Sequence, residues 1–539
     1  MYDLLIRGGE VLDGSGRAGF QADVAIERDR IVAIGQLGDA PARRVIQARG
    51  RVVAPGFIDI HTHSELPLLV DGRAMSKVMQ GVTLEVVGNC GTSPAPWTAA
   101  VEQRLRRLAP PDDELQRWRW QLTGDVMAKL EERGVALNVA FLVGHGTLRT
   151  AVMGPEQRPP STDELRAMQE LLRRELEQGA LGLSTGLIYA PSMYADTGEI
   201  VALAQVLREY GRLYTSHIRG EGDTVAQAVA EAIEVGRQAG VPVQVSHLKA
   251  TGRNNWGRGP ELLSLIERAR ADGVDVMADQ YPYVASSTTL TAVLPPWALS
   301  GGTGAMLGRL ADAEQRALIR RQITEGAPDW PNPLMRGCTF EDIVVASFAP
   351  NPSWEGRSIA AIAEEQGVEP EEAVLRLLGE ANGDVAIIRF AMSEDDVREI
   401  MRHPLVMVGS DGSSLAADGP LARGKPHPRS YGTYPRVLGH YVREERVLSL
   451  PEAIRKMTGL PAHRLGLKDR GRIVAGFKAD VVVFDPATVA ETATWAEPHR
   501  YPAGIEWVIV NGVPVVAEGH HTGARPGRVL RWGASGCPE

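Results

Sequence analysis

Cysteine is scarce in this sequence of 539 residues: there are three, Cys90, Cys338 and Cys537, far apart in the chain. A sparse, odd count argues against a disulfide framework and for a reducing setting, so a cytoplasmic protein is expected. Basic runs are also missing. The 58 basic residues are outnumbered by 67 acidic ones, for a formal net charge of −9, and no five basic residues stand together. A nucleic-acid partner therefore has no electrostatic support. No window reaches eighteen uninterrupted apolar residues, so no membrane span is expected. The start, Met1 to Ile6 and then Arg7, lacks the order of charge, apolar stretch and cleavage site that marks a signal peptide. No Gly-x-Gly-x-x-Gly opens a helix after an early strand, which weakens a dinucleotide-binding reading. Aromatic residues make up only 5%, yet 44% of the chain is hydrophobic, ample for a packed core. Nothing in the pattern fixes an oligomeric state.

What is present reads as two architectures. The first fifty residues give short strands at Tyr2 to Arg7, Ala22 to Glu27, Ile31 to Ile34 and Val52 to Ala54. The last seventy repeat the style at Ala479 to Phe484 and Ile505 to Val510, then the turn Asn511-Gly512 and Val513 to Val516. Apolar β-branched runs around Asn-Gly are a strong hairpin signal. Between these ends, strands and helices alternate. Strands are expected at Val82 to Val87, Ala136 to Val143, Ala180 to Thr185, Leu213 to Ser216, Val241 to Ser246, Val274 to Ala278 and Leu405 to Val408. Helices fall between them, one opened by the capping-box pair Ser161 and Glu164. Near-continuous apolar strands alternating with helices imply a parallel sheet covered by helices. The length leaves room for a barrel of roughly 250 residues or more with an accessory domain. The expected fold is a distorted (β/α)8 barrel (residues 55–467) with a small β-sandwich-like domain built from residues 1–54 plus 468–539. A proline- and glycine-rich stretch, with Pro282, Pro295, Pro296, Gly301, Gly302, Gly304, Pro328, Pro331 and Pro333, reads as an insertion at about 284–340.

Polar residues fall at one place relative to these strands. His61 and His63 follow Phe57 to Ile60, Cys90 follows Leu84 to Gly88, and His145 follows Leu142 and Val143. His217 ends LYTSH, His247 ends VQVSH and Asp411 ends VMVGSD. Barrel enzymes place their active sites just beyond the strand ends. Any one of these residues is more often structural than functional. The spacing His61-Thr62-His63 points both imidazoles to one side of an extended strand. With a thiolate and further imidazoles on the same rim, a metal site becomes the better explanation, and imidazole plus one thiolate suits zinc. Asp411, in the loop Gly409-Ser410-Asp411-Gly412, is the natural general base beside a metal-activated water.

At these residues the sequence resembles the amidohydrolase superfamily and, within it, the N-acyl-D-amino-acid deacylases. The segments are GFIDIHTH (56–63), VVGNCG (86–91), TSHIR (215–219), VSHLK (245–249), GSDG (409–412) and PHPRSYGTYPRVLGHY (426–441). The resemblance implies hydrolysis of the amide of N-acyl-D-amino acids, small-molecule substrates, to a carboxylate and a free D-amino acid. It implies one tightly bound Zn2+ on Cys90, His217 and His247, with His61 and His63 forming a second, weaker position. It gives Asp411 the role of general base and then general acid. It assigns Arg429 to the substrate α-carboxylate, with Tyr281 and Ser287 assisting, and places Lys249 and Tyr189 near the substrate or its acyl oxygen. His145 receives no role.

Many binuclear relatives bridge two metals with a carbamylated lysine after the fourth strand. No lysine occurs between Lys129 and Lys249 here, and a thiolate at Cys90 can supply the anionic ligand instead. Cyclic amidases lose ground accordingly. A D-dipeptidase, or less readily a non-catalytic scaffold of the same fold, competes with the deacylase reading. From Tyr281 through Gly308 there is no Arg or Lys, while Val284, Leu290, Val293, Leu294, Trp297 and Leu299 are apolar. This favours substrates with apolar or aromatic D-side chains.

Overall fold

The computed structural model describes residues 1–108, 120–327 and 330–533; Cys537 and Pro328 lie outside them. Eight parallel strands form the central sheet: β1 (Phe57–Asp59), β2 (Val82–Val87), β3 (Asn138–Gly144), β4 (Gly182–Gly186), β5 (Leu213–His217), β6 (Val243–Val245), β7 (Val276–Gln280) and β8 (Val406–Val408). Each pairs with its neighbour in chain order. A parallel bridge between Thr62 and Gly412, just past β1 and β8, draws the two edges together. The fold is the distorted (β/α)8 barrel that the strand–helix rhythm implies.

The strands are buried along their length because both faces are covered. Inside, Ile58, Leu84, Val86, Ala140, Leu142, Leu213, Met277 and Met407 pack together. Outside, the helices press a separate apolar layer against the sheet. Local signals set the helix starts. Ser161 and Glu164 form the expected reciprocal cap on Thr162–Glu177. Asp196 accepts from Glu199 N at 2.8 Å to start Thr197–Tyr210, which stops at Gly211 with φ +63°.

The chain ends share a nine-stranded sheet. Its N-terminal part includes Tyr2–Val11, Phe20–Glu27, Arg30–Gly35, Ala42–Gln47 and Val52–Pro55. Val52–Pro55 pairs antiparallel with Val481–Phe484, which joins the N-terminal strands to those of the C-terminal segment. Asn511 and Gly512 both have positive φ, +48° and +80°, as a tight hairpin turn requires.

Between β7 and β8 the chain builds a three-stranded antiparallel sheet from Ala285–Thr289, Ile343–Ser347 and Ala386–Phe390. Helices of this segment surround a core of its own. Leu290, Val293 and Leu294 belong to that core, with Trp297 and Leu299 packed on it. These apolar residues therefore serve the insertion's interior, not the wall of a substrate pocket.

Candidate metal centre and active site

The C-terminal ends of the strands converge on one cluster. Cys90 Sγ lies 3.3 Å from His61 Nε2 and 3.7 Å from His247 Nε2, and His247 Nε2 lies 2.8 Å from His217 Nδ1. His63 Nε2 stands 3.0 Å and His61 Nε2 3.4 Å from Asp411 Oδ1. A tetrahedral zinc ion with its usual bond lengths separates sulfur from nitrogen by about 3.6 Å and nitrogen from nitrogen by about 3.3 Å. The donor set fits such an ion. Two overlapping groups are present, Cys90 with His217 and His247, and Cys90 with His61, His63 and Asp411, so the thiol is common to both.

The backbone is bent to make this possible. Cys90, His247 and Asp411 have left-handed φ values of +52°, +38° and +52°. Such values in residues other than glycine mark strain held in place by their surroundings. Around Cys90 the surroundings are glycines. A Cβ on Gly186 would meet the Cys90 carbonyl oxygen at 2.1 Å, and one on Gly144 would meet the Gly91 carbonyl at 2.6 Å. Only glycine at the ends of β3 and β4 lets the cysteine loop lie across them.

Two carboxylates brace the imidazoles from behind. Asp279, at the end of β7, accepts from His61 Nδ1 at 3.1 Å and from the His247 backbone N–H at 2.8 Å, and its other oxygen accepts from Gln244. Glu221 lies 3.2 Å from His247 Nδ1, 3.6 Å from His217 Nε2 and 2.5 Å from Lys249 Nζ. A carboxylate bonded as Asp279 is to His61 fixes ring orientation and leaves the opposite nitrogen for a metal, whereas Glu221 Oε1 has no hydrogen-bond partner and acts by its charge. Neither appeared among the sequence candidates. Asp279 obeys the strand-end rule and could have been found; Glu221, four residues past His217, carries no local signal.

The charges reinforce one another. Burial pushes the Cys90 thiol up, but His61 and hydrogen bonds from His217 and His247 outweigh it and hold the group well below the usual thiol range. Burial likewise opposes ionisation of Asp411, and Arg429, His61 and His63 override it, keeping the carboxyl well below its ordinary value. His63 is raised to about 10: burial opposes the charge, and the bond to Asp411 wins. Burial raises both Tyr189 and Tyr281 well above the usual phenol value, so each keeps its proton and can donate.

The remaining candidates line the same space. Arg429 Nη1 pairs with Asp411 Oδ2 at 2.8 Å, and the guanidinium lies 4.9 Å over the Tyr281 ring. That ion pair is off the hydrogen-bonding direction, so Nη1 has no hydrogen-bond partner although it is buried. Nη2 donates to the Ser287 carbonyl at 3.4 Å; it is the backbone of Ser287 that meets Arg429. Lys249 Nζ lies 2.7 Å from His247 Nδ1 and 5.4 Å from the Tyr281 ring. Tyr189 packs edge-on against His217 and bonds Thr288 Oγ1 at 3.0 Å. His145 turns away to Ser192 and Glu199 at 3.0 and 2.9 Å, inside a buried cluster with Arg149.

A parallel barrel with imidazoles, a thiol and an ionised carboxylate gathered at the C-terminal rim defines a metal-dependent hydrolase. The amidohydrolase family matches residues 44–516, and the chain belongs to that family. It is 41% identical to an N-acyl-D-glutamate deacylase of Alcaligenes xylosoxydans xylosoxydans, across 100% of this chain and 98% of that one. A D-aminoacylase of the same organism is 40% identical, across 98% and 97%. Among solved structures, the N-acyl-D-glutamate deacylase of Bordetella bronchiseptica, complexed with zinc and a phosphonate that mimics the tetrahedral intermediate, superposes with a TM-score of 0.81. It is 39% identical, with 98% of this chain and 99% of that chain covered. A D-aminoacylase with a binuclear metal centre gives 0.82 at 38% identity, with 98% and 100% covered.

Proposed function

We propose that this protein hydrolyses N-acyl-D-amino acids to a carboxylate and a free D-amino acid. The observation that carries the reading is the buried Arg429 guanidinium, ion-paired with an ionised Asp411 but with no hydrogen-bond partner at Nη1, at a zinc-shaped donor set. Cys90, His217 and His247 would hold the tightly bound zinc, and His61 and His63 a second, weaker position that shares the thiolate. Zinc supplies a Lewis acid for the acyl carbonyl and lowers the pKa of a water.

The chain's own residues do the rest. Asp411 accepts the proton of the attacking water and then returns it to the leaving nitrogen. Arg429 grips the substrate α-carboxylate with its planar fork, packed on Tyr281. A substrate carboxylate on Arg429 competes with Asp411 for the same cation, which loosens that ion pair and makes Asp411 a better base. Tyr189 and Lys249 stand by as donors to the acyl oxygen.

The relatives named above differ in side chain, so similarity alone does not choose one. The absence of Arg and Lys from Tyr281 to Gly308 is what remains in support of apolar or aromatic D-residues, since most of the apolar residues there fill the insertion's own core. One observation favours the opposite preference. Arg389, opposite Ser286 in the three-stranded sheet, is 1% exposed, its Nε and Nη1 have no hydrogen-bond partner, and it has no ion pair among the described residues. A panel of N-acetyl-D-leucine, -methionine, -phenylalanine and -glutamate with the L-isomers, run beside zinc analysis, tests both. Turnover of the D-isomers with zinc bound is expected. Glutamate in the lead moves the side-chain assignment to Arg389; no turnover of any D-isomer by zinc-loaded protein removes the deacylase reading in favour of a D-dipeptidase, cyclic amidase or scaffold.

The nine-stranded sheet supports a division into residues 1–54 plus 468–539 and a catalytic barrel of 55–467, with the insertion extended through the strand at Phe390. No helix among the described residues is long and apolar enough to cross a membrane. With sparse cysteines, a cytoplasmic setting is the reading we adopt.

A further inference from the structure

Beneath the metal cluster lies a second polar network, sealed from solvent and not needed to bind substrate. At its centre is Lys77, on the short helix Met75–Val78, with no exposed side-chain area. Its ammonium donates to Asp59 Oδ2 at 2.8 Å and to Ser410 Oγ at 2.6 Å, and lies 3.4 Å from Glu85 Oε1. Asp59 ends β1, two residues before His61. Its other oxygen accepts from Ser410 N at 2.9 Å and from His61 N at 3.4 Å. Glu85 accepts from Ser64 Oγ and Ser414 Oγ, at 2.9 and 2.8 Å, on its two oxygens. One ammonium thus faces two carboxylates, and all three tie the histidine-bearing strand to the loop that carries Asp411.

We propose that Lys77 is a positioning residue for Asp411, acting through Ser410. Ser410 Oγ accepts from Lys77 and also from Gly412 N at 3.0 Å, so one oxygen pins the residues on both sides of Asp411. Between them Asp411 holds its left-handed φ of +52°. A free loop relaxes toward an ordinary backbone conformation, and that rotation swings the carboxylate off the water it must deprotonate. Lys77 touches no reacting atom in this scheme. An ammonium suits the position because a buried cation shared by two carboxylates has one stable placement, and the hydroxyl of Ser410 is held wherever the ammonium sits.

The proposal rests on the role given to Asp411 above, and the test separates the two. Ser410→Ala keeps the buried charges intact and cuts only the link. In the zinc-loaded enzyme, with the N-acetyl-D-amino acid it turns over fastest, kcat is expected to fall about 10- to 100-fold, as expected for a catalytic group displaced by about an ångström. KM stays within about twofold and zinc content remains that of the parent, which a merely structural role does not allow. Lys77→Met is expected to show the same fall in kcat with KM held, at a lower Tm because Asp59 and Glu85 lose their buried cation, and the double variant to lose no more kcat than the worse single one. If Lys77→Met is insoluble, Ser410→Ala decides alone. Ser410→Ala with unchanged kcat, or with KM and zinc content shifted alongside it, overturns the proposal. Asp411→Asn with parental turnover overturns instead the function on which it rests.

Discussion

Removing the guanidinium of Arg429 tests substrate recognition most directly. In Arg429→Met the side chain keeps its apolar stem against Tyr281 but loses the cation that faces Asp411 and lies over the ring. The site is buried, with Arg429 5% exposed, so the substrate carboxylate enters a place where water cannot replace the lost partner. Breaking one half of a buried charge pair costs about 3–5 kcal/mol. At about 1.36 kcal/mol per decade, kcat/KM falls between about 10²- and 10⁴-fold. Part of any such loss could come from Asp411, which loses its strongest stabilising neighbour, so the assay needs an internal reference. The N-acetyl-D-amino-acid carboxamide provides one. It lacks the carboxylate but keeps the scissile bond. The wild-type enzyme should favour the acid over the carboxamide strongly, and Arg429→Met should compress that ratio toward one while zinc stays bound. A variant that keeps the wild-type ratio, whatever its absolute rate, would refute the assignment of Arg429 to the carboxylate.

Two further outcomes follow from the geometry. Cys90→Ala removes the donor common to both ligand groups, so metal analysis should find the variant depleted of zinc and inactive even with zinc added, whereas chelator-stripped wild type recovers; zinc-replete, active Cys90→Ala would dismantle the metal site described here. Glu175 offers a stability test away from the site: burial raises its carboxyl to about 7, and one oxygen has no partner. A raised folded-state value means the group favours the folded state below the ordinary value of 4.5 and loses that contribution as pH rises through about 7. Glu175→Gln should therefore gain on wild type by at most about 3 kcal/mol between pH 4.5 and 8, measured by urea denaturation, and a parallel pair of curves would contradict it.

Much of this molecule is legible in its residues because strong signals coincide. The strands of the barrel are mostly apolar runs, and the rim residues sit at or just past their ends, as do His217, the last residue of β5, and His247, two residues past β6. The turn Asn511-Gly512 declares its hairpin. The strand Ala285–Thr289 was not legible: its sequence, ASSTT, has no apolar alternation, and it becomes a strand only by pairing with Ala386–Phe390, about a hundred residues on. Leu290, Val293 and Leu294 showed their apolar character but not their destination, since whether they face a substrate or their own core depends on helices far along the chain. Glu221 and Lys77 were invisible for a related reason. A charged residue that braces another from behind is defined by its partners, and those partners meet only in the folded barrel.

The left-handed backbone at Cys90, His247 and Asp411 sets a limit on engineering. Each such residue carries roughly 1–2 kcal/mol of conformational cost that glycine would not. Glycine would relieve that cost only by deleting a thiol, an imidazole or a carboxylate, and at Asp411 by leaving Arg429 without its buried partner. A hardier version of this barrel has to find its improvement elsewhere, in caps, loops and the outer helices.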